Sequence, residues 1–269
     1  MNKKLKEKVV WITGATGGLG RELCRSFGKA GAVIAVSDLR KKDVQALVNA
    51  LQTEQIQCAG FPCDVTDRDQ CKKVARKIKH KLGGVDVLIA NAGITHRSAF
   101  INTEPEVIER VMSVNFMGAV NVTHAALGQI IKRNGGVIAT SSIAGIAPLI
   151  GRTGYSASKH ALHGFYDSLR TELNDIDVRV MLVCPGFIDT PLDQNALGSD
   201  GKPLRKSRAV IGSKMSADNV AGRILKAYVG GRRLFFPSLL GRVSYLLSRL
   251  WPGLYDFLMT RKLKDEFKA

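Results

Sequence analysis

Val9-Val10-Trp11-Ile12-Thr13-Gly14-Ala15-Thr16-Gly17-Gly18-Leu19-Gly20 is an apolar run of strand length that breaks into a cluster of glycines and continues as a helical pattern. Glycine at such a break lets the chain reverse sharply and lets a ligand approach the backbone, and the helix that follows presents free N–H groups and a positive dipole end to an anion. A strand, a glycine-rich turn and a helix in that order predict a phosphate-binding turn at the edge of a parallel sheet. Thr13, Gly14, Thr16, Gly18, Leu19 and Gly20 are its candidate dinucleotide contacts.

The same alternation runs outward from this turn. Val33–Ser37, 57–62, 85–91, 137–141 and 178–184 read as further buried strands, short and rich in Val and Ile. Helical windows lie at about 18–30, 41–53, 67–81, 104–133 and 153–174. Thr103-Glu104-Pro105-Glu106 offers a capping box, and Thr66 or Asp67 can cap the third helix. Strands that alternate with helices imply parallel pairing and right-handed crossovers, hence an α/β, doubly wound parallel sheet with helices on both faces. Ser216 starts another helix to about Tyr228, and 233–236 reads as a last strand. The chain thus divides into one domain over 1–236 and an amphipathic helical C-terminal extension over 237–269. Within the domain, 191–214 reads as a basic surface loop holding Lys202, Arg205, Lys206 and Arg208 among Gly198, Gly201, Pro203 and Gly212.

At 269 residues, 45% apolar and 23% charged, the chain can bury one sizeable core. No apolar run reaches the length of a membrane span, and the run at Val9 is too short for a signal-peptide core. Five cysteines without CxxC spacing, and five histidines without a metal-ligand pattern, predict no disulfide framework and no metal site. The cysteines read as small apolar fillers in a reducing cytoplasm, and His160 and His163 as structural or surface residues. The net charge of +17 favours anionic partners. Nucleic acid is not among the expected ones, for no recognition module or aromatic–basic interleaving is present.

Asp38 ends the second strand about twenty residues beyond the turn. A carboxylate there accepts hydrogen bonds from ribose hydroxyls and repels a 2′-phosphate, which favours NAD. Arg40, Lys41 and Lys42 follow directly and pull toward NADP, the alternative.

Tyr155 and Lys159 stand four apart in a helical window, so they share a face. A tyrosine hydroxyl titrates near 10, and a neighbouring ammonium and a cationic ring both favour its anion. Bringing it to neutrality requires roughly 4 kcal/mol. Alone the pair is weak, since the spacing recurs by chance. Together with Thr13–Gly20, Asn91-Ala92-Gly93, Asn115, Ser142 and Pro185-Gly186, in this order and spacing, it resembles the short-chain dehydrogenase/reductase family over roughly residues 8–190.

The resemblance implies a Rossmann fold, a hydride exchanged between NAD(P) and a secondary alcohol or ketone, and a homodimer or homotetramer. It implies Tyr155 as general acid/base, Lys159 as the group that lowers its pKa and holds the nicotinamide ribose, and Ser142 as the donor to the substrate oxygen. Asn115 matches the asparagine that holds a relay water; Asp64 and Val65 match the adenine contact. Pro185, Gly186, Ile188 and Thr190 match the nicotinamide grip. Read without the family, Ser142 is also a strand-end polar residue and Asn115 a helix-break cap. One departure is Ala90, where the family often has an asparagine. The segment Tyr155–Phe165 is similar to the branch containing 11β-hydroxysteroid dehydrogenases and related lipid-acting reductases, a branch that often uses NADP.

In the extension, Leu239, Leu240, Val243, Leu246, Leu247 and Leu250 recur at helical spacing. A second amphipathic piece follows with Leu254, Tyr255, Phe257 and Leu258, then Arg261, Lys262 and Lys264. Three placements fit: against the domain or a sister subunit, in an anionic membrane interface, or as a roof over the substrate cleft. The expected protein is therefore a cytoplasmic oxidoreductase with a lipophilic substrate and a candidate peripheral membrane contact. The competing reading is a dinucleotide-sensing scaffold whose output is membrane or partner binding.

Overall fold

The computed structural model describes residues 5–190, 195–204 and 214–263. Most of the loop expected at 191–214 lies outside the described residues, including Arg205, Lys206, Arg208 and Gly212, as does Lys264.

Seven parallel strands form one sheet in the order β3-β2-β1-β4-β5-β6-β9. They are β1 (Val9–Thr13), β2 (Val33–Ser37), β3 (Cys58–Gly60), β4 (Val87–Ala90), β5 (Gly136–Thr140), β6 (Arg179–Val183) and, after a separate two-stranded pair of β7 (Ile188–Asp189) with β8 (Met215–Ser216), β9 (Leu234–Phe235). The strand order reverses between β1 and β4, and a crevice opens there at the carboxyl ends of the strands. Because helices cover both faces, β1 is buried along its whole length and reads as a continuous apolar run rather than an alternating one.

Helices α1 (Gly18–Lys29), α2 (Lys41–Thr53) and α7 (Ala217–Val229) belong to one apolar cluster. On the other face lie α3 (Arg68–Leu82), α5 (Gly118–Lys132) and α6 (Thr153–Glu172), preceded by α4 (Pro105–Met112). Two buried polar side chains tie the core without loss. Trp11 Nε1 donates to Ser37 Oγ at 2.8 Å, and Ser37 Oγ donates to the Phe61 carbonyl at 2.6 Å. Each burial of polar atoms is thereby matched.

Asp67 caps α3, its carboxylate accepting from the N–H groups of Asp69 and Gln70. The expected capping box at Thr103 does not form. Glu104 occupies the N-cap position of α4 without a side-chain cap, and Thr103 Oγ1 instead donates to the Ala99 carbonyl at 2.7 Å. The expected helix over 104–133 is also interrupted, by a π-helical turn at Ser113–Met117 that holds Asn115. One extra residue in a turn re-aims the side chains around it, and such turns recur at functional sites.

The extension forms α8 (Leu239–Leu250) and α9 (Pro252–Leu263). Tyr255, Leu247 and Met259 pack with Ile146, Ala147 and Cys184, and Tyr255 Oη donates to the Pro148 carbonyl at 3.1 Å. The pair is docked on the domain through this minor face. Of the placements that fit the apolar stripe, packing of the whole stripe on the domain is not the one found, for it points outward: Leu239 is 75% exposed, Val243 50%, Leu246 55% and Leu250 61%.

Candidate active site

At the reversal point of the sheet lies a cavity of about 990 Å³. Its wall starts at the glycine-rich turn, passes the ends of β2, β4, β5 and β6, and closes under Leu240 and Ser244 of α8 and Tyr255 and Met259 of α9.

The turn itself is held by close backbone approach. Gly14 has a φ of +60°, and a side-chain carbon there would stand 2.7 Å from Ala92 Cα. At Gly20 such a carbon would stand 2.1 Å from the Gly14 carbonyl oxygen. Asn91 Nδ2 donates to the Thr13 and Gly14 carbonyls at 3.1 and 3.2 Å, fixing β4 to the turn. Thr13 Oγ1 accepts the N–H groups of Asn91 and Ala92 at 3.1 and 3.2 Å. Thr13 is buried beneath the wall and orders it rather than lining it.

Asp38 stands at the tip of β2, where its Oδ2 accepts from Thr16 N at 3.0 Å and Thr16 Oγ1 at 2.7 Å. Its carboxylate therefore fixes the turn while facing the cavity. Arg40 pairs with Asp43 at 2.7 Å, and Arg21 Nε donates to the Thr16 carbonyl at 2.8 Å. Asp64 and Val65 line the wall beyond β3, and Asp64 Oδ1 accepts from Thr66 N and Oγ1 at 2.9 and 2.7 Å. Gly18, Leu19, Asn91, Ala92, Gly93, Pro185, Gly186, Ile188 and Thr190 also line the cavity. The cradle of small residues and backbone N–H groups fits a dinucleotide, and side chains at Gly14 and Gly20 would break the close backbone packing that shapes it.

Tyr155, Lys159 and Ser142 line the same cavity, and a side-chain carbon on Gly93 would stand 3.6 Å from Lys159 Nζ. Tyr155 sits in the first turn of α6, where the helix dipole favours an anion. Lys159 is nearly fully buried, with its Nζ 5.7 Å from the centroid of the Tyr155 ring and donating to the Thr140 carbonyl at 2.7 Å. Burial pushes its ammonium down to about 8. Ser142 Oγ accepts the Ala144 N–H at 3.1 Å, which leaves its hydroxyl hydrogen for another acceptor.

Asn115 is not in the wall. Its Oδ1 accepts from Ile94 N at 2.8 Å, while its Nδ2 donates to the Ile94 carbonyl at 3.0 Å and to Ser158 Oγ at 2.9 Å. Ser158 Oγ in turn donates to the Tyr155 carbonyl at 2.7 Å. Both amide hydrogens of Asn115 thus serve to tie the π turn to the exit of β4 and to α6.

Two residues outside the sequence expectations support α6. His96 is fully buried and accepts the Gly154 N–H on Nε2 at 3.0 Å; burial, and then the Arg152 charge, push it down to about 4. Arg152, also buried, lines the cavity and donates to Thr95 Oγ1 at 2.8 Å. Their partners lie 58 and 57 positions away, so no local spacing announces them. His163, half-buried, faces Ser141 Oγ at 3.0 Å and Cys184 Sγ at 3.5 Å, while His160 is exposed. Among the described residues there is no cluster of side chains able to hold a metal ion.

Comparisons with known proteins show the family and the fold. A family model described as short chain dehydrogenase matches residues 8–199. Dehydrogenase/reductase SDR family member 7B from Bos taurus is 36% identical over all of this chain and 85% of its own. The 3-oxoacyl-[acyl-carrier-protein] reductase FabG of Thermotoga maritima is 35% identical over 82% of this chain and 90% of its own. Among solved structures, a short chain dehydrogenase/reductase from Burkholderia phymatum in complex with NAD superposes with a TM-score of 0.84 at 22% identity, covering 93% of this chain and 95% of that one. An alcohol dehydrogenase from Thermococcus sibiricus complexed with 5-hydroxy-NADP gives 0.73 at 20% identity, with 85% and 95% covered. The chain belongs to the short-chain dehydrogenase/reductase family, oxidoreductases that act on alcohol and carbonyl groups with a nicotinamide dinucleotide.

Proposed function

We propose that the protein interconverts a lipophilic secondary alcohol and its ketone, with Tyr155 taking and returning the hydroxyl proton and NAD(H) as the preferred cofactor. The observation that carries this reading is the one cavity lined both by Tyr155, Lys159 and Ser142 and by the glycine-rich turn. Gly14, Thr16 and Gly18–Gly20 would hold the pyrophosphate, Asp38 the adenosine ribose, Asp64 and Val65 the adenine. Asn91–Gly93 and Pro185, Gly186, Ile188 and Thr190 would hold the nicotinamide end. When bound, the nicotinamide supplies or accepts the hydride.

The chain's own groups handle the proton. The Lys159 ammonium and the α6 dipole favour the Tyr155 anion, which accepts the alcohol proton at Oη and returns it in the reverse direction. Ser142 donates its O–H to the same substrate oxygen and stabilises the charge that develops there. Asn115 positions these groups by fixing α6. Asp38 repels a 2′-phosphate, and the nearest following guanidinium, Arg40, is engaged by Asp43, which supports NAD over NADP. Ala147, Pro148, Leu149 and Met259 give the substrate half an apolar lining, and the acyl-ketone name of the FabG relative points to the same substrate class. A panel of hydrophobic ketones with NADH and NADPH tests the proposal. Turnover should favour NADH, and Tyr155→Phe should abolish it while NADH still binds. Activity surviving that substitution overturns the role of Tyr155.

The scaffold reading gains one observation, the outward stripe of α8 and α9. Leu239, Val243, Leu246, Leu250, Trp251, Leu254 and Phe257 are exposed beside the exposed Arg242, Arg249, Arg261 and Lys262, with Asp256 the only acidic residue of the two helices. An apolar face rimmed by cations suits an anionic bilayer. We therefore read this face as a peripheral membrane contact that brings the roofed cleft to its lipophilic substrate. Leu246→Glu with Leu250→Glu should abolish flotation with vesicles containing anionic lipid while leaving turnover of a soluble ketone intact. Undiminished flotation would rule the contact out. Removing the whole extension is a poorer test, because Tyr255 and Leu247 pack on the domain. The family's habit of pairing subunits leads us to expect a homodimer or homotetramer, which light scattering measures.

A further inference from the structure

Cys63 and Cys71 are eight positions apart, and their sulfurs lie 3.8 Å from each other at the end of the cavity assigned above to adenine. Both are buried: Cys63 is 2% exposed and Cys71 0%. Cys63 nevertheless forms part of the cavity wall, whereas Cys71 does not. A solute reaches the pair through the cleft, on the Cys63 side. The two thiols are not equivalent. The contact between the two sulfurs, in which either can donate, holds the Cys63 pKa down and raises that of Cys71. Cys63, the sulfur on the cavity wall, is the nucleophile of the pair.

The segment between them is the one that should feel a change. Cys71 Sγ lies 3.7 Å from the Asp64 carbonyl oxygen and 3.6 Å from that of Val65. Val65 is wedged against α5, where a side-chain carbon on Gly118 would stand 2.6 Å from Val65 Cγ2. A disulfide requires the sulfurs to approach to about 2.05 Å. The loop carrying Asp64 and Val65 has to move for that to happen.

We propose that Cys63 and Cys71 are a redox modification site: a hydroperoxide oxidises them to a disulfide that displaces Asp64 and Val65 and weakens cofactor binding, and bound cofactor shields them. The proposal rests on the reading of this end of the cleft as the adenine site. The Cys63 thiolate attacks a peroxide oxygen, forming S–O and breaking O–O, and the leaving oxygen departs as water or alcohol after taking a proton. The Cys71 sulfur then displaces the sulfenic hydroxyl, forming S–S and releasing water with the Cys71 proton. The two sulfurs lose two electrons and the peroxide gains them.

The full chain, treated with hydrogen peroxide and digested without reductant, should yield a Cys63–Cys71 linked peptide two mass units lighter than the two thiol peptides combined. NADH fluorescence titration should show a Kd at least about tenfold higher for the oxidised protein, restored by dithiothreitol. Saturating NADH, added before peroxide and compared with its absence at matched free peroxide, should slow cross-linking. Cys71→Ala should resist the loss of affinity; if that variant fails to fold, the shielding measurement on the unaltered chain decides. Absence of the cross-link, a cross-link with unchanged Kd, or cross-linking unaffected by NADH each overturns the proposal. Failure of the reduced protein to bind NADH is a separate result, which removes the cofactor reading itself.

Discussion

Lys159 Nζ donates to the main-chain oxygen of Thr140 at 2.7 Å, so the last residue of β5 orients the ammonium that faces the Tyr155 ring. The contact supplies one acceptor to a charge that burial has stripped of water. It does not fully compensate, and the ammonium is left with a pKa near 8 instead of 10.5.

This has a measurable consequence for stability. Below pH 8 both the folded and unfolded chains carry the charge, and the folded state bears the whole desolvation cost. Between pH 8 and 10.5 the unfolded chain keeps a proton that the folded one has lost, so stability rises with pH. Relative to Lys159→Met, the wild-type protein should gain about 3 kcal/mol of unfolding free energy across that window. Denaturant titrations of both proteins at several pH values measure the slope. A flat difference between them would show that the lysine is solvated. The same variant should lose at least about 10²-fold in kcat if the ammonium serves Tyr155.

His96 gives the same sign in the acid range. Its Nε2 accepts the Gly154 N–H, which a doubly protonated imidazole cannot do. Above pH 6.5 the ring is neutral in both states and its contribution is complete. As pH falls from 6.5 to about 4 the unfolded chain takes up the proton first, and stability falls. The loss from this residue should be about 3 kcal/mol, and His96→Gln should flatten the acid limb by that amount. An unchanged limb in the variant would mean that His96 titrates normally. Because Gly154 immediately precedes Tyr155, kcat should fall with the same titration.

What could be read in the sequence, and what could not, follows from the range of the interactions. Val9–Thr13 and Val33–Ser37 match β1 and β2 residue for residue, because a parallel strand covered on both faces is written as an unbroken apolar run. The glycine-rich turn is equally legible, since its steric demands fall on the glycines themselves. The π turn at Asn115 is not, for helical periodicity continues on both sides of it. His96 and Arg152 act on residues nearly sixty positions away. The stripe on α8 shows a further limit: spacing reveals that Leu239, Val243, Leu246 and Leu250 share a face, and the packing of Leu247 and Tyr255 decides that this face looks outward.

Gly14 tests the end of the cleft proposed for the cofactor. A side chain at its φ of +60° is strained, and its Cβ would also press on the Ala92 backbone at 2.7 Å. Neither contact can relax cheaply, because both partners are main chain. Gly14→Ala should therefore destabilise the fold by about 1–3 kcal/mol. It should also raise the Kd for NADH, while Gly164→Ala, on open helix surface, should leave both unchanged. Calorimetry and fluorescence titration read the two effects separately. Normal cofactor binding by a folded Gly14→Ala protein would remove the turn from the site.

Asn115 tests whether α6 must be held for Tyr155 to work. Asn115→Ala removes three hydrogen bonds and leaves the half-buried Ile94 N–H and carbonyl without their side-chain partner. A fully buried group left unmatched costs about 1–3 kcal/mol, and these half-buried ones cost less, so the melting temperature should drop modestly. Ser158 loses a donor yet keeps its own bond to the Tyr155 carbonyl, so the helix should stay formed while its first turn loosens. The expected kinetic signature is a fall in kcat with little change in KM for NADH, because no cofactor contact is touched. Ser158→Ala, which cuts the same tie from the other side, should lower kcat as well. The double variant should then fall short of the product of the two single effects, as coupled neighbours do. Independent, multiplicative losses would show that Asn115 acts elsewhere than through α6.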